Sequence, residues 1–375
     1  MNIPILRLPY TDEEIVEIQE GIAKVLRSGV LTKGNTAEQF EHEWASYCGT
    51  QYAVACASGT SALEMIMRAV GVEGKEVIIP SNTFIATAVA VIRAGGRVIL
   101  ADCEQDNLQM SLKSAMDCQT KNTAALILVH IGGYITPSLP IFQYWCEKEH
   151  IALIEDSAHA HGAEFYGLKA GNLGLASGFS FFPTKVLTSA EGGMVTTNNT
   201  DIYEKCYSLR NQGRLKENPQ IHDKLGYNWR MDEIRAVLGL QQVKKASKVL
   251  AERRTIAEWY TRKISSIPLR EIKKANEINP AYYKYIAMPD KSIPIDNPIE
   301  WRTAINKHMN KKGIQMPGLV YEVPLHRQPV KDMFSMPVSL DNTNWVANHH
   351  LCLPLHLGLS ETEVDYVIES LREVL

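Results

Sequence analysis

Hydrophobic positions along this chain follow two different spacings. Ile15, Ile18, Ile22, Val25 and Leu26 recur three and four residues apart behind Thr11-Asp-Glu-Glu14, where Thr11 can cap a helix and Glu14 can reach back to it. This predicts a helix of about four turns. It stops at Ser28-Gly29 and passes into a glycine-hinged loop over 29–34. From there to residue 200 or so, short apolar runs alternate with amphipathic stretches. Glu76-Val-Ile-Ile-Pro80, Arg97-Val-Ile-Leu-Ala-Asp102, Ala124-Ala-Leu-Ile-Leu-Val-His130 and Ile151-Ala-Leu-Ile-Glu-Asp156 are of strand length, each ending in a turn-forming, polar or ionisable residue. Apolar strands separated by helices predict an α/β fold with a mostly parallel sheet covered on both faces. In such sheets ligands bind beyond the carboxyl ends of the strands.

The texture changes in the last third. Lysine-rich helical sequence from Gln241 to Arg262, the run Tyr282-Tyr283-Lys284-Tyr285, and Pro289, Pro294 and Pro298 predict a smaller α+β unit. The division expected is a large domain over 1–245, including the N-terminal helix, and a small C-terminal domain over 246–375. A second capping box, Ser360-Glu-Thr-Glu363, opens a closing helix that carries Val364, Val367, Ile368 and Leu371.

Composition removes several classes of function. Lys plus Arg number 39 against 42 Asp plus Glu, for a net charge of −3, which leaves no basic excess for a nucleic-acid backbone. No apolar run approaches the roughly 20 residues that span a bilayer, and the N-terminus lacks a basic segment followed by a long apolar one. Seven cysteines, without a Cys-x-x-Cys pair, point to reduced thiols and a cytoplasmic protein.

Three segments could carry chemistry. Ser58-Gly-Thr-Ser-Ala-Leu-Glu64 follows an apolar stretch and opens a helix, placing free N–H groups where an anion can bind; the plainer alternative is a cap made by Ser61 and Glu64. Asp156 ends the most apolar strand, with Glu155 directed to the other side. Asp156, His159 and His161 could in principle chelate, but Gly162 interrupts the strand and no further ligand cluster follows, so no metal is expected. Lys185 lies between the aromatic Phe179-Ser-Phe-Phe-Pro-Thr-Lys185 run and Gly192-Gly193, an odd place for a solvated lysine. Desolvation would lower its pKa and leave a neutral amine able to form a Schiff base. His349, His350 and His356 flank the apolar Leu351–Leu355 run without ligand partners and are expected to be structural. Neither a Gly-x-Gly-x-x-Gly nor a Gly-x-Ser-x-Gly motif occurs.

In order and spacing, these segments resemble the DegT-type sugar aminotransferases, fold-type I pyridoxal-phosphate (PLP) enzymes of the aspartate aminotransferase superfamily. The resemblance runs nearly end to end. It includes Leu26-Arg-Ser-Gly-Val-Leu-Thr-Lys-Gly34, Pro80-Ser-Asn-Thr-Phe-Ile-Ala-Thr87, Glu155-Asp-Ser-Ala-His-Ala-His-Gly162, the segment ending in Lys185, Gly226-Tyr-Asn-Trp-Arg-Met-Asp-Glu233 and Leu353-Pro-Leu-His-Leu-Gly-Leu-Ser360. It implies that Lys185 holds the cofactor and shuttles a proton, that Asp156 keeps the pyridinium nitrogen protonated, and that His159 sits beside the ring hydroxyl. Phe84 would stack on the ring. Gly59, Thr60 and Ser180 would hold the phosphate, and Asn228 would reach the phosphate of a neighbouring subunit in a homodimer. Arg230, His326 and Arg327 are expected near the substrate. The implied reaction moves an amino group from glutamate to a keto-sugar, typically a nucleotide-linked 3- or 4-keto hexose. An alternative acceptor is the 8-keto derivative of 3-deoxy-octulosonate. A sugar dehydratase is disfavoured because those relatives carry histidine where this chain has Lys185, and a non-catalytic regulatory relative because every expected catalytic position is filled.

Overall fold

A computed structural model of the chain describes residues 1–7, 10–290 and 293–375. The first helix, α1 (Asp12–Ser28), carries the reciprocal cap its sequence predicts: Glu14 N–H donates to Thr11 Oγ1 and Thr11 N–H to Glu14 Oε2, both at 3.2 Å. Gly29 then leaves the helix at φ 71°, a conformation that favours glycine. Then come α2 (Asn35–Cys48), β1 (Tyr52–Cys56), α3 (Gly59–Val70), β2 (Glu76–Pro80), α4 (Ile85–Arg93), β3 (Arg97–Ala101), α5 (Leu112–Asp117), β4 (Thr123–Val129), α6 (Leu139–Lys148) and β5 (Ala152–Asp156). A hairpin of β6 (Glu164–Phe165) and β7 (Leu168–Lys169) precedes β8 (Ala176–Ser180), β9 (Gly193–Thr197), α7 (Thr200–Leu209) and the 32-residue α8 (Glu233–Ile264). The remainder comprises β10 (Leu269–Glu271), β11 (Ile278–Asn279), β12 (Tyr285–Pro289), α9 (Pro298–Lys311), β13 (Phe334–Ser335), α10 (Asp341–His349), β14 (Leu351–Leu353) and α11 (Glu361–Arg372).

Eight strands form the main sheet in the order β1-β9-β8-β5-β4-β2-β3-β13. Only β9 runs against the others: it is antiparallel to both β8 and β1, whereas the pairs from β8 across to β13 are parallel. The apolar runs are explained by burial on both faces. Alternate residues enter two different cores, Val77 and Ile79 on one side with Ile78 on the other, and Ile127 opposite Leu126 and Leu128.

Two expectations change in three dimensions. The expected division at 245/246 falls inside α8, which runs unbroken; its Ala236 and Ala246 pack into one core, and Ile256, Ala257 and Tyr260 into the other. β13, from the expected small domain, also joins the main sheet beside β3, and β11 pairs with β6. A helix that packs into both cores carries no break in its periodicity, so texture alone does not show that it continues across 245/246. The apolar face of α1 is the second change: Val25 is buried, but Ile15 is 42% and Leu26 57% exposed.

Candidate active site

Segments from β2, β5 and β8 meet the start of α3 at the carboxyl ends of the parallel strands. Asp156 ends β5 and is buried. Its Oδ2 accepts from the Thr87 hydroxyl at 2.8 Å and its Oδ1 from the Ala158 N–H at 3.2 Å. Burial raises its pKa; the two hydrogen bonds and the nearby charge of Lys185 oppose that rise. A buried carboxylate with two neutral donors is a receptor for a further cation.

Thr87 belongs to the first turn of α4 and also pairs with Thr83 Oγ1 at 2.8 Å. The bond to Asp156 therefore draws the Asn82-Thr83-Phe84 turn toward β5. Phe84, the N-cap of α4, keeps a ring that is 59% exposed. On the other flank, α3 begins with Ser58 as its cap: Ser61 N–H donates to Ser58 Oγ (3.2 Å) and Ser58 N–H to Ser61 Oγ (3.0 Å). Glu64 plays no part in this cap and pairs with Arg68 at 2.7 Å. Among the described residues, the N–H groups of Gly59 and Thr60 have no acceptor, as the first positions of a helix require. A Cβ on Gly59 would stand 2.7 Å from the Ser180 Cβ, so only glycine allows the helix start to press against the end of β8. Gly59, Thr60 and Ser180 thus share one cradle.

Lys185 follows β8 in a tight turn, its N–H donating to the Phe182 carbonyl at 2.9 Å. Its ammonium lies over the Tyr283 ring, 5.0 Å from the centroid. Burial lowers its pKa; Tyr283 and Asp156 push upward and Lys284 pushes down. The imidazole of His159 stacks on Tyr283 with centroids 4.1 Å apart. Its Nδ1 accepts from the Gly132 N–H (3.4 Å), and its Nε2 faces the Tyr321 hydroxyl at 3.4 Å, which assigns the ring proton to Nε2. Burial, with Lys185 and Lys284 nearby, pushes the pKa of His159 well down and keeps the ring neutral.

The remaining candidates stand apart. His161 turns away from Asp156 and His159 into a cluster of Trp44, Phe179 and Phe181, and among the described residues no group of three or more ligating side chains could hold a metal. Asn228 is exposed, its side chain without a hydrogen bond among the described residues. Arg230 donates to Asn211 Oδ1 (2.9 Å) in a pocket with Lys33 and Arg210. His326 is bonded through both ring nitrogens, Nδ1 to Ser81 Oγ (2.7 Å) and Nε2 to Asn344 Oδ1 (2.9 Å). Arg327 is exposed and donates to Asn348 Oδ1. Arg230, His326 and Arg327 do not line the cavity beside Lys185. Reading the sequence missed Thr87, Tyr283, Lys284 and Tyr321. Tyr283 and Lys284 lay in a conspicuous aromatic run; nothing near Thr87 or Tyr321 marked them as partners of Asp156 and His159.

Residues 12–372 match the model of the DegT/DnrJ/EryC1/StrS aminotransferase family. The chain belongs to this family. Its aminotransferases are PLP-dependent, and the enzyme class is that of a PLP-dependent sugar aminotransferase of fold-type I. The chain is 30% identical over 373 residues to the GDP-perosamine synthase of Escherichia coli O157:H7, covering 99% of this chain and 98% of that protein. It is 32% identical to the UDP-N-acetyl-3-dehydro-alpha-D-glucosamine 3-aminotransferase of Acidithiobacillus ferrooxidans, over 96% and 94% of the two. Among solved structures, the PMP form of Spr1654 from Streptococcus pneumoniae, described as a sugar aminotransferase, superposes with a TM-score of 0.89 at 27% identity, covering 100% of this chain and 98% of that one. Free donors at a helix N-terminus, a buried carboxylate short of a cation, a desolvated lysine and an uncovered aromatic ring match the phosphate, pyridine nitrogen, aldehyde and ring face of PLP.

Proposed function

We propose that this chain works in the cytoplasm as a homodimer that transfers an amino group from glutamate to a keto-sugar, a nucleotide-linked 3- or 4-keto hexose, in the synthesis of surface-polysaccharide or antibiotic sugars. The observation that carries this reading is the meeting of Lys185, Asp156 and the N-terminus of α3 at the carboxyl ends of the interior strands β5 and β8. When bound, PLP supplies an electron sink in its pyridinium ring. Asp156 holds the ring nitrogen protonated and Phe84 covers one ring face. Gly59, Thr60 and Ser180 bind the phosphate, and the neutral His159 meets the ring hydroxyl. Lys185, its pKa lowered by burial, attaches the cofactor and moves the proton at the reacting carbon.

A second copy of the chain is supported by uncovered apolar side chains on α1 and the loop after it: Ile15, Val16, Leu26, Val30 and Leu31 are each at least 42% exposed. Asn228, exposed and without a side-chain hydrogen bond among the described residues, would reach the partner's phosphate. Arg230 and Arg327 supply positive charge for an anionic substrate, while His326 holds the Ser81 turn in place. One relative is named a GDP-perosamine synthase and another a 3-aminotransferase of a UDP-linked 3-dehydro sugar, so the acceptor panel spans 3- and 4-keto hexoses. No helix among the described residues is long and apolar enough to cross a membrane.

The decisive assay presents the purified protein, its visible absorption band first shown to be lost on borohydride reduction, with glutamate and a panel of nucleotide-linked 3- and 4-keto hexoses and the 8-oxo sugar acid. Transfer to a keto hexose is expected. Transfer only to the sugar acid would replace the acceptor, and no transfer to any of them from a protein with an intact band would overturn the reading. Sedimentation of the same preparation tests the dimer.

A further inference from the structure

A cavity of about 160 Å³ opens on the small-domain side of Lys185. Lys185 forms part of its wall, together with Tyr283, Lys284, Pro317, Leu353, Leu355 and three residues of the N-terminal segment, Ile5, Leu6 and Arg7. Besides Lys185, three cations line it: Arg7, Arg253 and Lys284. Two of them are already engaged. Arg7 donates to the Gly358 carbonyl and pairs with Glu363 at 3.0 Å. Arg253 gives its guanidinium to the carbonyls of Tyr282, Tyr283 and Leu355. The ammonium of Lys284 has neither a carboxylate nor a carbonyl partner among the described residues; it lies over the Tyr283 ring, 5.5 Å from the centroid, and its charge acts on Lys185 and His159. The same ring lies under Lys185.

A half-buried lysine beside another lysine is a ready partner for an anion. The backbone holds Lys284 in place: its N–H donates to the Gly132 carbonyl at 3.2 Å, in the loop whose Gly132 N–H also donates to His159. At about 160 Å³ the cavity is of a size for a small amino acid rather than a nucleotide sugar, and besides these cations its wall carries the hydroxyls of Thr184 and Tyr283 among apolar side chains.

We propose that Lys284 forms a carboxylate subsite beside Lys185 and binds a carboxylate of the amino-acid donor. The inference rests on the aminotransferase reading above and adds a residue and a ligand class to it. Among the described residues Lys284 is, besides Lys185, the cation lining the cavity that has no ion-pair or hydrogen-bond partner, and a charge-assisted contact with a carboxylate would engage it. While no donor is bound, the charge of Lys284 also lowers the pKa of Lys185.

The test uses PLP-loaded wild type, Lys284→Gln and Lys284→Arg. Glutarate, a dicarboxylate with no amine to react, is titrated against the cofactor's visible band, and glutamate is then added to follow conversion of that band. Lys284→Gln is expected to raise the half-saturating glutarate and glutamate concentrations about 10- to 100-fold, as loss of a charge-assisted contact does. Lys284→Arg should restore them to within a few-fold. Wild-type and Lys284→Gln affinities for glutarate that agree within twofold, with the visible band intact in both, would overturn the subsite. Should glutamate leave the wild-type band unchanged while glutarate binds in a Lys284-dependent manner, the donor assigned above fails and the subsite stands. Binding that Lys284→Arg fails to restore, in a variant whose band and thermal unfolding match wild type, would also overturn it.

Discussion

Glu155 and Asp156 are adjacent, both buried, and point to opposite faces of β5. On one face Glu155 is saturated. Its Oε1 accepts from the N–H groups of Leu173 (2.8 Å) and Gly174 (3.0 Å), and its Oε2 from the Gly171 N–H (2.9 Å) and His130 Nε2 (2.9 Å). On the other face Asp156 has two donors and a lysine nearby. The first carboxylate ties the 171–174 loop to the sheet, and every lone pair it directs has a use inside the chain. The second is left with unspent capacity, where a cationic cofactor atom would complete it. Equal burial therefore marks two roles, and the count of hydrogen bonds separates them.

The comparison breaks most sharply at the lysine facing Asp156. Lys185→Ala is expected to lower amino transfer by at least about 10³-fold with little change in unfolding temperature, because a nucleophile is lost and no core contact is; initial rates and thermal unfolding measured together check this. Asp156→Asn should cost about 10²- to 10³-fold in rate by removing the charge that faces the ring nitrogen. Its effect on the cofactor-free protein should have the opposite sign. A carboxyl whose pKa is raised on folding binds more protons folded than unfolded, so stability falls as pH rises from about 3.9 through the folded value. Asp156→Asn should remove that decline and be more stable than wild type at pH 7, which denaturant titrations across pH 4–8 would show.

On the saturated face the outcome reverses. Glu155→Gln places an amide N–H₂ against backbone donors and should destabilise the protein by about 2–4 kcal/mol, seen as a lower midpoint in urea, with activity per folded molecule changed far less than by Asp156→Asn. An inert Glu155→Gln would show that the two faces are energetically alike. The smallest effect lies at His161, whose ring nitrogens have no hydrogen-bond partner among the described residues and whose pKa burial pushes down to about 3. A depressed histidine binds fewer protons folded than unfolded, so its share of stability is lost as pH falls below about 6.5 toward the folded value. His161→Phe, which suits the ring cluster of Trp44, Phe179 and Phe181, should gain about 1–2 kcal/mol over wild type at pH 5 and nearly nothing at pH 7.5. Equal unfolding curves for the two proteins at both pH values would count against this.

Much of the site could be read in one dimension because its parts are local. A strand ending in Asp156, a Ser-Gly-Thr helix start and a lysine after an aromatic strand are contiguous segments, and strand and helix periodicity places each at a sheet end. Residues that act across the chain left no such trace. Thr87 reaches Asp156 over a separation of 69 residues and Tyr321 reaches His159 over 162; Thr87 closes the Pro80–Thr87 segment, but nothing in that segment pairs it with Asp156, and Tyr321 lies in no motif. His326 shows the converse. Its chemistry attracted attention, yet the Ser81 and Asn344 contacts make it a strut.

By itself, then, the sequence determined the alternation of strands and helices, both capping boxes and the candidate lysine and carboxylate of the site, because these depend on spacing within a few residues. Only the tertiary structure decided which carboxylate keeps spare capacity, which lysine stands beside Lys185 without a partner among the described residues, and that α8 packs into both cores. Those properties are balances among groups brought together from distant segments. A hydrogen bond filled or left open, or a charge neutralised or exposed, is set by neighbours that the chain order does not adjoin.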